Sequence, residues 1–151
     1  RSLSLHIRLS TVAGRIHGLR LTWQRKYTQT RNKAMKNVII TDGSVRIRAT
    51  LNDTLAARDF EKRLPFTCSG NDSGTNFCCS AANGLYDPLE TQIGWKNGDI
   101  SLGGGWFALL YGGEETSGEY RDIMIIGHIH DGDLRLVGQM PERVTLTVSE
   151  E

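Results

Sequence analysis

The chain of 151 residues is long enough for one domain with a buried core, and it has no apolar run of membrane-spanning length. Its net charge of +1 conceals a split. Residues 1–34 carry eight Lys/Arg and no Asp or Glu, whereas residues 35–151 carry ten basic and seventeen acidic residues, a formal −7. That acidic body argues against a nucleic-acid partner, which calls for a basic face.

Residues 1–34 are Arg- and Ser-containing, acid-poor and without a long apolar core, so they are not a secretory signal. Three readings stand: an organelle transit peptide, a basic arm, or sequence upstream of a natural start at Met35. In each case the leader is expected to be disordered or foreign to the fold, and the folded domain to be residues 35–151. The three cysteines, Cys68, Cys78 and Cys79, are odd in number and form no Cys-x-x-Cys. They make no disulfide framework and fit a reducing, cytoplasmic compartment.

Val38-Ile39-Ile40, the turn dipeptide Asp42-Gly43, and the alternating Val45, Ile47, Ala49 and Leu51 predict a hairpin with one buried face. Asn52, Asp53 and Thr54 are all good helix caps, and Ala57, Phe60 and Leu64 share one helical face. Proline at 65 ends a helix of about three turns, because the residue before proline avoids the α region. Asp59 and Arg63 are spaced for a surface ion pair. So short a helix is marginal alone and needs docking.

Beyond it the pattern is strand and turn. Gly70–Gly74 reads as a loop and Thr75–Ala82 as a strand. Asn83-Gly84, Asp87-Pro88 and Asn97-Gly98 are turns, with a short strand over Thr91–Trp95. Strands are expected at Asp99–Leu102, Trp106–Tyr111, Tyr120–His130 and Val144–Val148, with a polar loop over Gly112–Gly118 and a turn at Asp131-Gly132. Gly103-Gly104-Gly105 predicts a bulge or hairpin turn rather than a phosphate loop, since no Lys-Ser/Thr follows. Many short strands at turn-marked intervals predict a barrel or sandwich.

The order of these segments, with "VRIRATL", "NDTLAARDFEKRLP", "NGDISL", "WFALLYGG", "IGHI" and "VTLTV", resembles the small bacterial cyclophilin-like domain family over about Val38 to Val148. The resemblance implies a mainly all-β fold: a closed barrel of about eight strands with one short lid helix, plugged by Phe60 and Leu64. True cyclophilins isomerise the peptide bond before proline with an arginine beside a Phe/Met-lined pocket. Their Phe-His-Arg-Val pattern is absent here, so no catalytic residue carries over. Fold alone does not give function.

Two constellations carry chemistry. Trp95, Trp106, Tyr111, Tyr120 and His128 are candidates to line an apolar groove for a peptide or small molecule, against the plainer reading as core and rim of a barrel. His128 and His130 would lie side by side about 7 Å apart on a strand, a spacing that suits a metal with Asp131 or Asp133, against the plainer reading as wet-face residues. Cys78 and Cys79 point to opposite faces, and no nearby cation activates either. No Walker loop, dinucleotide fingerprint or Ser-His-Asp order occurs. The sequence therefore predicts a non-catalytic peptide- or small-molecule-binding barrel without a cofactor, nucleic-acid partner or membrane. The alternative is a divergent peptidyl-prolyl isomerase, for which Arg46, Arg48, Arg58 and Arg121 are the available donors. Oligomeric state is open.

Overall fold

Eight antiparallel strands close into a barrel in the order β1-β2-β7-β5-β6-β4-β3-β8, with β8 returning to β1. The structure is a computed structural model that describes residues 35–151; the readings of residues 1–34 lie outside the described residues. The strands are β1 (Lys36–Thr41), β2 (Arg46–Leu51), β3 (Phe66–Asp72), β4 (Phe77–Ser80), β5 (Asp99–Gly103), β6 (Trp106–Leu110), β7 (Ile125–Ile129) and β8 (Arg143–Glu150). Among the described residues one α-helix, α1 (Leu55–Glu61), follows β2. Closure leaves no strand edge open to pair with another chain.

The alternation seen in the sequence sets the inside. Ile47, Ala49 and Leu51 of β2 are buried, as are Val38 and Ile40 of β1 and Val144, Leu146 and Val148 of β8. Phe77, Cys79, Ile100, Leu102, Phe107, Leu109, Ile126 and Ile129 complete the interior from the other strands. Cys78 and Cys79 point to opposite sides: Cys79 is fully buried and Cys78 half-buried. Burial is the largest cause raising the Cys78 thiol pKa, which keeps it an unreactive thiol.

Helix α1 closes one end of the barrel. Thr54 is its N-cap, the Thr54 hydroxyl accepting from Ala57 N–H at 3.1 Å. Ala56, Ala57 and Phe60 face inward, and Leu64 packs at the margin of the core. The helix is two turns, not three. After Glu61 the bonds tighten to i→i−3, from Arg63 N–H to Phe60 C=O at 2.9 Å and from Leu64 N–H to Glu61 C=O at 3.3 Å, and Pro65 follows. Asn52 fixes where the helix starts. Its backbone N–H donates to Ile126 C=O at 2.8 Å and its side-chain amide to Ile125 C=O at 2.7 Å, while its Oδ1 accepts from Thr54 N–H at 3.1 Å. The β7 carbonyls are turned toward Asn52 where the β5–β7 register shifts, between Ile100 and Ser101.

Other boundaries move for local reasons. Gly70, Asn71 and Asp72 belong to β3, so the turn is confined to the residues after them. The strand expected over Thr75–Ala82 is the four-residue β4, and that over Thr91–Trp95 reduces to one bridge, Gln92 with Ile123. Glu114–Glu119 forms a short 3-10 turn inside the predicted loop. The strand expected over Tyr120–His130 begins only at Ile125, and Asp131 does not turn a hairpin but starts a 3-10 segment, Asp131–Gln139. Acidic residues suit such a start, and Asp133 is claimed by β2: Arg48 donates to its carboxylate from the backbone N–H at 2.9 Å, from Nε at 3.0 Å and from Nη2 at 3.1 Å.

These bonds, the guanidinium first and the backbone N–H second, hold the Asp133 carboxyl down at about 2. A depressed folded-state pKa stabilises the fold above the ordinary carboxylate range near 4 and loses that contribution as pH falls toward 2. We therefore expect melting temperature to drop between about pH 4 and 2, and Asp133→Asn to flatten the drop; parallel thermal scans of the two proteins across that window check it.

Candidate functional site

A pocket of about 300 Å3 opens at the barrel end closed by α1. Its floor is Leu102 and Met124, both buried. One wall is the turn joining β5 to β6. Gly104 and Gly105 there have φ of +62° and +87°, the backbone that a tight two-residue hairpin requires, and Gly103 and Gly104 offer main chain without side chains to the space. The opposite wall is the 83–91 segment, through Asn83, Tyr86, Pro88 and Thr91. Asp122 completes the lining and, among the described residues, is the one charged residue in it. It is also the only non-glycine among the described residues with positive φ, +59°. Strained backbone of this kind persists where the surroundings impose it, often beside binding sites.

The helix holds the 83–91 wall in place. Arg63 donates from Nη1 to Ala82 C=O at 2.8 Å and from Nη2 to Asn83 C=O at 3.4 Å, with its guanidinium over the rings of Phe60 and Phe66 at 5.3 and 5.6 Å. Asp59 accepts from Leu85 N–H at 3.0 Å. Glu90 accepts from Leu55 N–H, in the first turn of the helix, at 2.9 Å. The expected Asp59–Arg63 surface pair is thus replaced by two separate grips on the loop backbone, which has no strand partner over most of this stretch. Asn83 passes the connection on, its Oδ1 accepting from Gly105 N–H at 2.7 Å. The lid helix is therefore both plug and scaffold: the loop it grips is the pocket wall.

None of the five aromatic and histidine candidates lines this pocket. Trp95 and Tyr120 do come together, with ring centroids 5.4 Å apart. Trp95 Nε1–H donates to Gly112 C=O at 2.8 Å, and with Ile123 the ring covers Ala108, Leu110 and Ile125 in a second apolar cluster outside the barrel. Trp106 is half-exposed on the same outer face of β6. Tyr111 packs on Phe77, and its hydroxyl donates to Asp72. Burial, then that bond, pushes the phenol up to about 12. Tyr86 and Asp122, which do line it, are not among the candidates read from the sequence. Tyr86 sits in an apolar pair, Leu85-Tyr86, between two turn dipeptides, a pattern that marks an anchored rather than free loop. Nothing in the sequence marks Asp122.

His128 and His130 take different partners. His128 Nδ1–H donates to Asp99 Oδ1 at 2.8 Å, and the other Asp99 oxygen accepts from Lys96 N–H at 2.8 Å. Gly98 leaves room for the imidazole: a Cβ there would come within 3.0 Å of Cε1. Asp131 Oδ1 lies 3.3 Å from His128 Nε2 on a fully solvated side chain. His130 Nε2 is hydrogen-bonded to Thr50 Oγ1 at 2.8 Å. Among the described residues no three His, Cys, Asp or Glu side chains converge on a metal position. The buried Asp99 carboxylate instead ties β5 to β7. Asp99→Ala is expected to destabilise the fold by about 2 kcal/mol, since it strands two donors, while Asp131→Ala stays within about 0.5 kcal/mol of the parent; urea unfolding of both variants measures the contrast.

A sequence profile of the Cyclophilin-like family matches residues 40–149, nearly all of the barrel. The chain belongs to the cyclophilin-like family. Among solved structures it is similar to the solution structure of a hypothetical protein from Archaeoglobus fulgidus, with a TM-score of 0.59 at 15% identity, covering 78% of this chain and 96% of that one. At that identity the likeness is one of fold. No curated protein matches the chain. Family membership thus accounts for the eight-stranded barrel. Among the described residues, no helix is long and apolar enough to cross a membrane.

Proposed function

We propose that this member of the cyclophilin-like family is a binding module without catalysis, taking a peptide or small molecule in the pocket between the helix-anchored loop and the β5–β6 turn. The observation that carries the reading is the bracing of that loop by Arg63, Asp59 and Glu90. A wall fixed from the helix is preorganised, and preorganisation reduces the entropic cost of binding. The lining is of the usual kind for such sites, an apolar floor with a few polar groups at the edge, at the small end of the usual volume range.

The isomerase alternative calls for a donor placed on the substrate amide. Among the described residues no arginine lines the pocket, and Arg48 is committed to Asp133. A ligand-observed NMR screen of a fragment library against the chain tests the binding reading. Fragments are expected to bind, and Tyr86→Ala to weaken them by about 5- to 30-fold, as loss of one aromatic contact worth about 1–2 kcal/mol implies. Fragments that bind Tyr86→Ala as well as the parent would place the site elsewhere.

A further inference from the structure

We infer that the pocket selects a peptide segment carrying a basic side chain next to a bulky apolar one, a specificity that rests on the binding reading above. Charge is the first ground. Residues 64–120, which supply the 83–91 wall, the β5–β6 turn and Leu102, contain seven acidic residues and a single basic one, Lys96. The next acidic residue, Asp122, is the charged group of the lining itself. Of the arginines that flank this stretch in sequence, Arg63 donates to the Ala82 and Asn83 carbonyls and Arg121 is an exposed neighbour of Asp122. Asp87 and Glu90, in the same 83–91 segment, each accept one backbone N–H, from Leu89 and Leu55, at a single oxygen. Such a field draws cations and repels acidic ligands.

The second ground is apolar surface. Leu85, Tyr86 and Leu89 are 61%, 49% and 93% exposed within five residues, on a loop that is otherwise pinned to the helix. Large apolar side chains held out into water mark a contact surface. A free amine would fill the pocket and leave this rim bare, whereas an extended peptide covers both. Its apolar side chain reaches the Leu102–Met124 floor, and its Lys or Arg lays the alkyl stem along Tyr86 with the cation toward Asp122.

The test is fluorescence anisotropy of a labelled, capped pentapeptide, Gly-Phe-Arg-Leu-Gly, with matched peptides bearing Gln or Glu in place of Arg, titrated with the full chain, with Asp122→Asn and with Tyr86→Ala. The Arg peptide is expected to bind about 3- to 10-fold tighter than the Gln peptide at low salt and the Glu peptide weakest. Asp122→Asn should remove most of that preference, read as the ratio of the Arg and Gln peptide affinities on the one variant, and Tyr86→Ala should weaken all three. Equal affinity for the Arg and Gln peptides, or a preference that survives Asp122→Asn, would overturn the specificity. If no peptide binds while fragments do, the pocket stands and its assignment to a basic peptide falls.

Discussion

Phe60→Ala is expected to cost about 3–5 kcal/mol of folding stability, the largest loss from any side-chain truncation in the helix. Phe60 is fully buried, stacks on Phe107 at 5.6 Å and meets the edge of Phe66 at 4.9 Å. These three rings meet at the barrel end beneath α1, and alanine at 60 leaves a cavity among them. The same truncation removes the ring on which the Arg63 guanidinium rests. The damage should therefore spread to the 83–91 wall, and ligand binding should weaken even at temperatures where the variant remains folded. Chemical denaturation gives the first quantity, and fragment binding at low temperature gives the second. Alanine at 60 with a loss below about 1 kcal/mol would mean that the helix does not plug the barrel.

Gly70→Ala is expected to be comparably severe, at about 3 kcal/mol or more, for a different reason. Gly70 lies between β4 and β8, opposite Cys79 and Val144, and a Cβ there would sit 2.0 Å from the Cys78 carbonyl oxygen. That neighbour is backbone, so relief requires the β3–β4 ladder to separate. Thermal melting compared with Gly74→Ala is informative, because a Cβ at Gly74 meets nothing within 4 Å and the strain there comes from φ +96° alone. The account predicts the larger drop at 70. Equal drops would show that backbone conformation, not close approach, decides both.

Gly70 also shows where sequence reading reaches its limit. Within Gly70-Asn71-Asp72-Ser73-Gly74 two glycines look alike, yet one is needed for close approach inside a strand and the other for a turn. The barrel was legible because its strands obey period two: β2 and β8 expose and bury alternate residues as the pattern implies. The helix was legible from its cap and its proline. The pocket was not. Its walls come from loops, which have no period, and their geometry is fixed by long-range contacts such as Arg63 to Ala82 and Asn52 to Ile126. At His128-Ile129-His130 the partners are likewise set by distant residues, Asp99 for His128 and Thr50 for His130.

The helix-anchored pocket is proposed as the place where this barrel meets its ligand. Chemical-shift mapping of 15N-labelled chain, titrated with fragments from the screen, tests it most directly. The perturbed amides are expected to cluster at Asn83, Tyr86, Gly103, Gly104 and Asp122. Shifts centred instead on the shallow β3–β8 groove around Asn71 and Arg143, or on Asp99 and His128, would contradict it.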